Sequence, residues 1–474
     1  MAEIDHARRL LEAQQAAFRA EGFASVRVRA DRLERALDLL LGSQREICEA
    51  IASDFGRRPA TLTRFVDVWP AVSSLKHARR HVGRWMRPQR QRVGLPIGAP
   101  GTRAHIVQQP LGVVGVISPW NFPITLTFGP LAGILAAGNR CLIKPSELTP
   151  ATSALIEQLV ARRFDASEVA VVNGGAELAA GFSRLPFDHL MFTGSTSTGR
   201  RVMAAAADGL VPLTLELGGK CPVLMGRSAA FGRAVDRILL GKLTNAGQMC
   251  IAPDTLYLPR ERVEAFTAEA LAWVQRVYPR IGSNPDYPSV VSERHGERLR
   301  SLLADALAKG ARVVPLGAPA ADLDASTRTV GPALILEASD RMRVMQEEIF
   351  GPLLPVVPYD DIAAAVARIN AQPKPLALYY FGTDRREMRW VLEHTSSGGV
   401  TVNDVAAHFL AEEMPFGGVG ASGMGAYHGE HGFRRFSHAR AVLHQTRLDV
   451  HGLSGLRPPY GARARRFLRL LLRR

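Results

Sequence analysis

Between residues 113 and 207 short β-prone runs alternate with stretches of helical period. The runs at 113–117, 141–143, 169–172 and 189–192 are separated or followed by helical patterns near 126–137, 152–163 and 196–207. Short apolar strands separated by helices are too far apart in the chain to pair as tight hairpins, so they predict a parallel sheet with crossover helices. The alternation resumes with a strand at 222–225, a helix near 229–243, a strand at 255–258 and helices around 261–278 and 289–309. A second α/β domain therefore begins near Leu217. The length of 474 residues, roughly three typical domains' worth, allows two major domains with full cores.

The flanks read differently. Residues 7–86 carry apolar side chains at three-to-four spacing, as in Leu33, Ala36, Leu37 and Leu40, and predict helices only. From Gln91 to Ala104 come Gly94, Pro96, Gly98, Pro100 and Gly101, which punctuate the chain as a linker or an extended flap.

Composition excludes several function classes. The longest apolar stretch, 126–138, holds a proline and three glycines and is too short to span a bilayer. The N-terminus opens into a charged amphipathic pattern without a secretory core or cleavage site, so a cytoplasmic location is expected. Four widely spaced cysteines, Cys48, Cys141, Cys221 and Cys250, contain no Cys-x-x-Cys pair and read as reduced thiols. The net charge is +15, but seven arginines and no acid follow His451, so nearly half of it sits in the tail. Elsewhere no basic stripe alternates with aromatics, and no nucleic-acid partner is expected. The tail, residues 449–474, can form a helix with Phe467, Leu470 and Leu471 on one face and arginines around it, suited either to an anionic membrane surface or to docking on protein.

Cys250 lies in Asn245-Ala-Gly-Gln-Met-Cys250-Ile-Ala-Pro253, a glycine-containing segment closed by a proline. Catalytic groups favour such loops, yet a lone cysteine more often packs as a small hydrophobe. Its company decides. Pro119-Trp-Asn-Phe-Pro123, Lys144-Pro-Ser-Glu147, Phe192-Thr-Gly-Ser-Thr196 with Gly199, Leu215-Glu-Leu-Gly-Gly-Lys220, Glu347-Glu-Ile-Phe-Gly-Pro352 and Pro415-Phe-Gly-Gly418 accompany it in order. Together these segments resemble the aldehyde dehydrogenase superfamily from about Ala7 to Leu448. The branch markers Asp54-Phe-Gly56, Lys76-His-Ala-Arg79, Trp85-Met-Arg-Pro88 and 417–429 resemble most the class-three branch that includes bacterial coniferyl aldehyde dehydrogenases.

The resemblance implies an α/β fold with a Rossmann-like cofactor domain, an α/β catalytic domain and a small bridging and oligomerisation element. Residues 1–90 and 106–216 would form the first, 217–430 the second, and 91–105 with 431–448 the third. It implies NAD(P)-dependent oxidation of an aldehyde to the acid through a cysteine thioester, on an aromatic substrate such as coniferyl aldehyde or a medium-to-long aliphatic one. Cys250 matches the nucleophile, Asn121 the oxyanion donor and Glu216 the general base. Trp120, Lys144, Glu147, Gly194, Ser195, Gly199, Glu348 and Phe350 match cofactor positions. A strand, the glycine turn at Gly194 and a helix start would favour the pyrophosphate. Lys144 attracts a 2′-phosphate whereas Glu147 repels it, which puts NAD ahead with NADP as the alternative. A homodimer is the expected assembly. A CoA-acylating relative typically lacks the base, so Glu216 argues for hydrolysis. Met249 and Thr255-Leu-Tyr257 depart from the family's usual residues and can alter the substrate wall. No metal is expected: His77 and His81 stand one helical turn apart but lack the glutamate of His-Glu-x-x-His, and Arg79, Arg80 and Arg84 crowd them.

Overall fold

The computed structural model describes residues 2–94, 97–98, 100–317 and 328–472. Pro96 of the punctuated stretch and the terminal Arg473 and Arg474 lie outside them.

Strands are numbered in chain order. A small antiparallel sheet joins β1 (Gln89–Gln91), β2 (Arg103–Pro110) and β16 (Ser437–His444), so the ends of the 91–104 stretch run into strands. The next sheet takes β3 (Val113–Ile117), β4 (Arg140–Lys144), β5 (Val169–Val171), β6 (His189–Thr193), β7 (Leu213–Glu216) and β15 (Gly423–Met424), in the order β15-β7-β6-β3-β4-β5. All its neighbours are parallel except β15, which pairs antiparallel with β7. Every residue of β3, β4, β5, β6 and β7 is buried, which is why their central positions read as apolar or small residues without alternation, while the polar Arg140, Lys144, His189 and Glu216 stand at strand ends.

The third sheet holds β8 (Pro222–Met225), β9 (Thr255–Pro259), β10 (Arg312–Pro315), β11 (Ala333–Leu336), β12 (Leu353–Tyr359), β13 (Ala377–Phe381) and β14 (Gly399–Val402), in the order β10-β11-β12-β9-β8-β13-β14. The chain passes from one large sheet to the other between Glu216 and Pro222. It returns once, since β15 lies beyond β14 in sequence yet pairs with β7, Gly423 opposite Glu216.

Two features of this architecture position a ligand site. In the six-stranded sheet the chain steps from β3 to β4 and β5 on one side, then places β6 on the other side of β3. Strand order reverses there, and the crevice beyond the carboxyl ends of such strands is where open α/β sheets bind ligands. The ends are Ile117 and Thr193, and residues 118–121 and 194–195 continue from them.

The second feature is a buried ion pair. Arg58 and Asp67 have no exposed side-chain surface, and Arg58 Nη2 lies 3.2 Å from Asp67 Oδ2. Asp67 Oδ1 accepts the backbone N–H groups of Ile124 (2.9 Å) and Thr125 (2.7 Å), capping the helix Thr125–Ala137. Arg58 Nη1 donates to the carbonyl of Asn121 at 2.7 Å. Burial pushes Asp67 up to about 6, but the guanidinium and the two N–H groups pull the other way and keep the carboxylate charged at neutral pH. Removing one member leaves an uncompensated charge, so Asp67→Ala is expected to cost about 3–5 kcal/mol in urea unfolding, and the joint replacement Arg58→Met with Asp67→Leu clearly less.

Candidate functional site

The crevice leads to Cys250. The helix Phe231–Leu243 stops at Thr244, and the turn Thr244–Gly247 forces Asn245 (φ 50°) and Ala246 (φ 52°) into left-handed conformation. Such strain persists only where the surroundings over-determine it. Asn245 Nδ2 donates to the carbonyls of Asn121 (3.2 Å) and Gln248 (3.3 Å); Gln248 Nε2 donates to the carbonyls of Asn245 (2.9 Å) and Ser289 (3.1 Å). Gln248 Oε1 in turn accepts the N–H of Val291 at 2.9 Å. Beyond the cysteine, Tyr379 Oη donates to the Ile251 carbonyl at 2.5 Å. Cys250 is thus clamped from both sides while its own side chain stays partly exposed.

Asn121, on the loop after β3, donates from Nδ2 to the Gln248 carbonyl at 3.2 Å. An amide nitrogen carries two hydrogens, so this bond orients the group and leaves one N–H for a ligand. Glu216 ends β7; it is buried, and neither carboxyl oxygen has a hydrogen-bond partner among the described residues. Burial pushes its pKa well up, against a smaller downward pull from Arg435. Glu348 is raised to about 8, by burial and then by Asp254, and its Oε1 also lacks a partner among the described residues. A Cβ on Gly218 would overlap Glu348 Oε2, so glycine there lets the carboxyl approach. Cys250 is raised to about 12, first by burial and then by Glu348 and Glu216. Glu348 and Cys250 are therefore protonated at neutral pH, and burial favours the neutral form of Glu216 as well.

The segment around Glu348 is held by residues that no sequence motif singled out. Arg298 donates to the carbonyls of Glu348 (2.5 Å) and Ile349 (2.8 Å), and His295 Nε2 bonds to the Phe350 carbonyl at 2.8 Å. These contacts fix Phe350 at φ 51°. Burial holds His295 down at about 4, so its ring is neutral and packs edge-on to Trp120, which also meets Phe350 with centroids 5.3 Å apart. Nothing but a helical charge pattern marked Arg298 and His295 in the sequence.

Two cavities meet at Cys250. One, of about 550 Å³, is the more polar of the two; Trp120, Asn121, Gly194, Ser195, Glu216, Glu348 and Phe350 all line it, along with Arg200, Arg298 and Lys374. Ser195 caps the helix Thr196–Ala207 by accepting from Thr198 N–H, so that helix presents its N-terminus to this cavity. The other, about 350 Å³, is mostly apolar and lined by Phe65, Phe122, Leu126, Met249 and Phe409 among others.

Three expected cofactor residues lie outside this lining. Lys144 is buried and donates to Glu147 Oε2 at 2.8 Å. Burial raises Glu147, but the hydrogen bond and charge of Lys144 outweigh it and the net shift is downward. The two therefore neutralise each other. Gly199 packs its helix on Leu217, where a Cβ would meet Leu217 Cδ2 at 2.7 Å.

At His77 and His81 the fold corrects the expectation in one respect. It brings in the carboxylate absent from the local sequence: Glu413 Oε1 lies 3.7 Å from His77 Nε2, and the ligand atoms of the three lie within 4.8 Å of one another. The ring centroids of the two histidines are 4.3 Å apart and both rings meet Trp85, and burial and His81 hold His77 below its ordinary range. That is a packed aromatic column, apart from both cavities.

Residues 1–442 match the aldehyde dehydrogenase family. The chain is similar to the "probable coniferyl aldehyde dehydrogenase" of Caulobacter vibrioides, 52% identical over 97% of this chain and 95% of that protein. It is similar to the coniferyl aldehyde dehydrogenase of a Pseudomonas species, 49% identical over 95% and 93%. Among solved structures, the substrate-bound state of Staphylococcus aureus AldH superposes with a TM-score of 0.91 at 34% identity, covering 98% of this chain and 99% of that one.

A protonated, partly exposed thiol has a testable signature. Alkylation of Cys250 by a small neutral haloacetamide is expected to accelerate roughly tenfold per pH unit between about pH 7 and 9, following the thiolate fraction. Glu348→Gln removes a negative neighbour and lowers the thiol's pKa. Its gain in rate should appear above about pH 8, where the native carboxyl ionises.

Proposed function

The chain belongs to the aldehyde dehydrogenase family and oxidises aldehydes with NAD or NADP, and within that activity we propose that Cys250 is the nucleophile, Asn121 the oxyanion donor and Glu216 the base. The observation that carries this reading is that Cys250 belongs to the walls of both cavities, while Asn121 and Glu216 line the polar one beside it. Substrate enters through the apolar cavity and dinucleotide occupies the polar one. The helix N-terminus at Ser195, the basic residues around it and the unpartnered oxygen of Glu348 suit a dinucleotide.

The Cys250 thiol gives its proton to water in the adjoining cavity, the sulfur adds to the formyl carbon and the C=O electron pair moves onto oxygen. Asn121 Nδ2 and the Cys250 backbone N–H receive the oxyanion, each such donor being worth about 3 kcal/mol in related chemistry. A dinucleotide held by these residues would supply the hydride acceptor, and loss of hydride from the tetrahedral carbon would leave a thioester on Cys250. Glu216, once ionised, takes a proton from water, whose oxygen attacks the thioester; the C–S bond breaks and the acid departs. A buried carboxyl without hydrogen bonds has a raised pKa and becomes a base only as pH rises. Turnover is therefore expected to rise with pH, with Glu216→Gln lowering kcat roughly 10²–10⁴-fold.

For the cofactor lining we propose Trp120, Gly194, Ser195, Glu348 and Phe350, with Lys144 and Glu147 at the adenosine ribose and Gly199 supporting the helix. The domain roles are assigned accordingly: 1–90 and 106–216 bind dinucleotide, 217–430 carry the nucleophile, and 91–105 with 431–448 bridge subunits. Because Lys144 is engaged with Glu147, NAD is the preferred cofactor. An aromatic aldehyde such as coniferyl aldehyde is the proposed substrate, supported by the relatives' names and the aromatic lining of the apolar cavity. A panel of aromatic and aliphatic aldehydes with each dinucleotide tests this. NAD-linked oxidation of cinnamaldehydes, abolished in Cys250→Ala, is expected; undiminished turnover in that variant would overturn the mechanism.

A homodimer in the cytoplasm is proposed, with β16 at the interface because its outer edge is unpaired among the described residues. No helix among the described residues is long and apolar enough to cross a membrane. Peripheral contact is proposed through the helix Ala462–Leu471, where Ala464 alone is buried while Leu468, Leu470 and Leu471 are exposed among four arginines. Full-length protein should sediment with anionic vesicles and a chain ending at His451 should not; equal binding would end the idea.

A further inference from the structure

The helix Gly429–Arg435 ends on an arginine that reaches β7. Arg435 is half-buried; its Nε donates to Thr214 Oγ1 at 2.8 Å and its Nη2 to the carbonyl of Leu213, both on that strand. Its neighbour Arg434 pairs with Glu430 at 2.6 Å, whereas Arg435 forms no ion pair among the described residues. A guanidinium withdrawn from water normally takes a carboxylate as partner. Here both acceptors are neutral.

Local geometry is made for this contact. A Cβ on Gly425 would stand 2.8 Å from Arg435 Nε, and Gly425 sits at φ 86°, so glycine there opens the passage through which the guanidinium reaches the strand. Gly425 directly follows β15, the short strand that sets Gly423 opposite Glu216. Successive side chains of a strand alternate between its faces, so Thr214 and Glu216 share one face of β7. The guanidinium bonded to Thr214 is therefore one same-face position away from Glu216.

The other titratable groups around that pair are neutral. Cys250 and Tyr427 both feel the Glu216 charge, and burial holds the thiol up at about 12 and the phenol above its ordinary range. His189, on β6, shares Thr214 Oγ1 at 2.8 Å and is held down at about 3, first by burial and then by Arg435. Arg200, Lys220, Arg298, Lys374 and Glu348 line the polar cavity with Glu216, but the charge that pulls Glu216 downward is that of Arg435, and the influence is reciprocal.

We infer that Arg435 is a positioning residue for the hydrolytic step: from the end of its helix it fixes, beside Thr214, the positive charge that lets the carboxylate of Glu216 form. On ionising, the carboxyl passes its proton to water in the polar cavity, and it takes one back from the water that attacks the thioester. Arg435 stands in the segment proposed to bridge subunits, so hydrolysis depends on how that segment docks on β7. The inference rests on the reading of Glu216 as base.

The test records kcat and KM against pH for the full chain with NAD and an aldehyde that the panel above shows to be oxidised, together with the first-turnover burst of reduced nicotinamide. Loss of a nearby cation disfavours the carboxylate, so Arg435→Met should move the rising limb of kcat up by about one pH unit. That is a roughly tenfold loss on the acid side that disappears at high pH, with KM and the burst kept. Arg435→Lys keeps a cation beside Thr214 and should hold the limb at its native position. In a Glu216→Gln background Arg435→Met should change nothing further, because the group it acts on has gone. Thermal midpoints of the variants show that the fold is kept. An unshifted limb in Arg435→Met, an equal fall in kcat at every pH, or the same shift in Arg435→Lys overturns the inference. Native turnover in Glu216→Gln instead identifies failure of the base assignment itself.

Discussion

The two loops that face each other across the site are joined by one hydrogen-bonded chain, and the rest of the arrangement depends on it. Asp67 caps the helix after Asn121, Arg58 binds the Asn121 carbonyl, Asn245 binds the same carbonyl, and the Gln248 carbonyl receives the Asn121 amide. One carbonyl oxygen thereby couples the loop after β3 to the strained turn before Cys250. Backbone conformations as unfavourable as those of Asn245 and Ala246 need such support, because each costs about 1–3 kcal/mol when unsupported. The bonded chain also crosses between the two large sheets, so their relative placement and the position of the Asn121 amide are set by the same bonds.

Burial then decides the chemistry at rest. Glu216, Glu348 and Cys250 sit close enough that each carboxylate, when charged, makes ionisation of the thiol harder, and burial pushes all three toward their neutral forms. A site whose thiol is protonated is quiet, with little thiolate available for adventitious oxidation or alkylation. Reaction requires a proton to leave this cluster, which links turnover to pH and to whatever enters the polar cavity. The neutral His295, buried beside Trp120 and Phe350, adds a packing surface without adding charge.

The cavities divide the labour by polarity. Helix N-terminus, arginines and backbone amides gather on one side of Cys250; aromatic and aliphatic side chains gather on the other, interrupted at the mouth by Arg237 and two carboxylates. A single sulfur atom at their junction can meet a hydrophobic aldehyde and a charged dinucleotide without either crossing the other's path.

Six of the sixteen described strands, β3, β4, β5, β6, β8 and β9, were legible in the chain because they are short buried runs between helical or turn segments, and buried parallel strands announce themselves by apolar character. Cys250, Asn121 and Glu216 were legible as members of long local motifs. By contrast Arg58, Arg298 and His295 act through backbone carbonyls far away in sequence, and a residue that donates to a carbonyl leaves no motif around itself. Glu413 shows the same limit: it completes the pairing of His77 from 336 residues away, so no local reading could supply it. Local sequence determined which segments fold into strands, helices and turns, since those choices depend on near-neighbour sterics and periodic burial. Only tertiary structure decided which loops meet, which carboxyls lose their water and where an arginine stands without a hydrogen-bonded carboxylate, because these depend on distances between segments that the chain order does not encode.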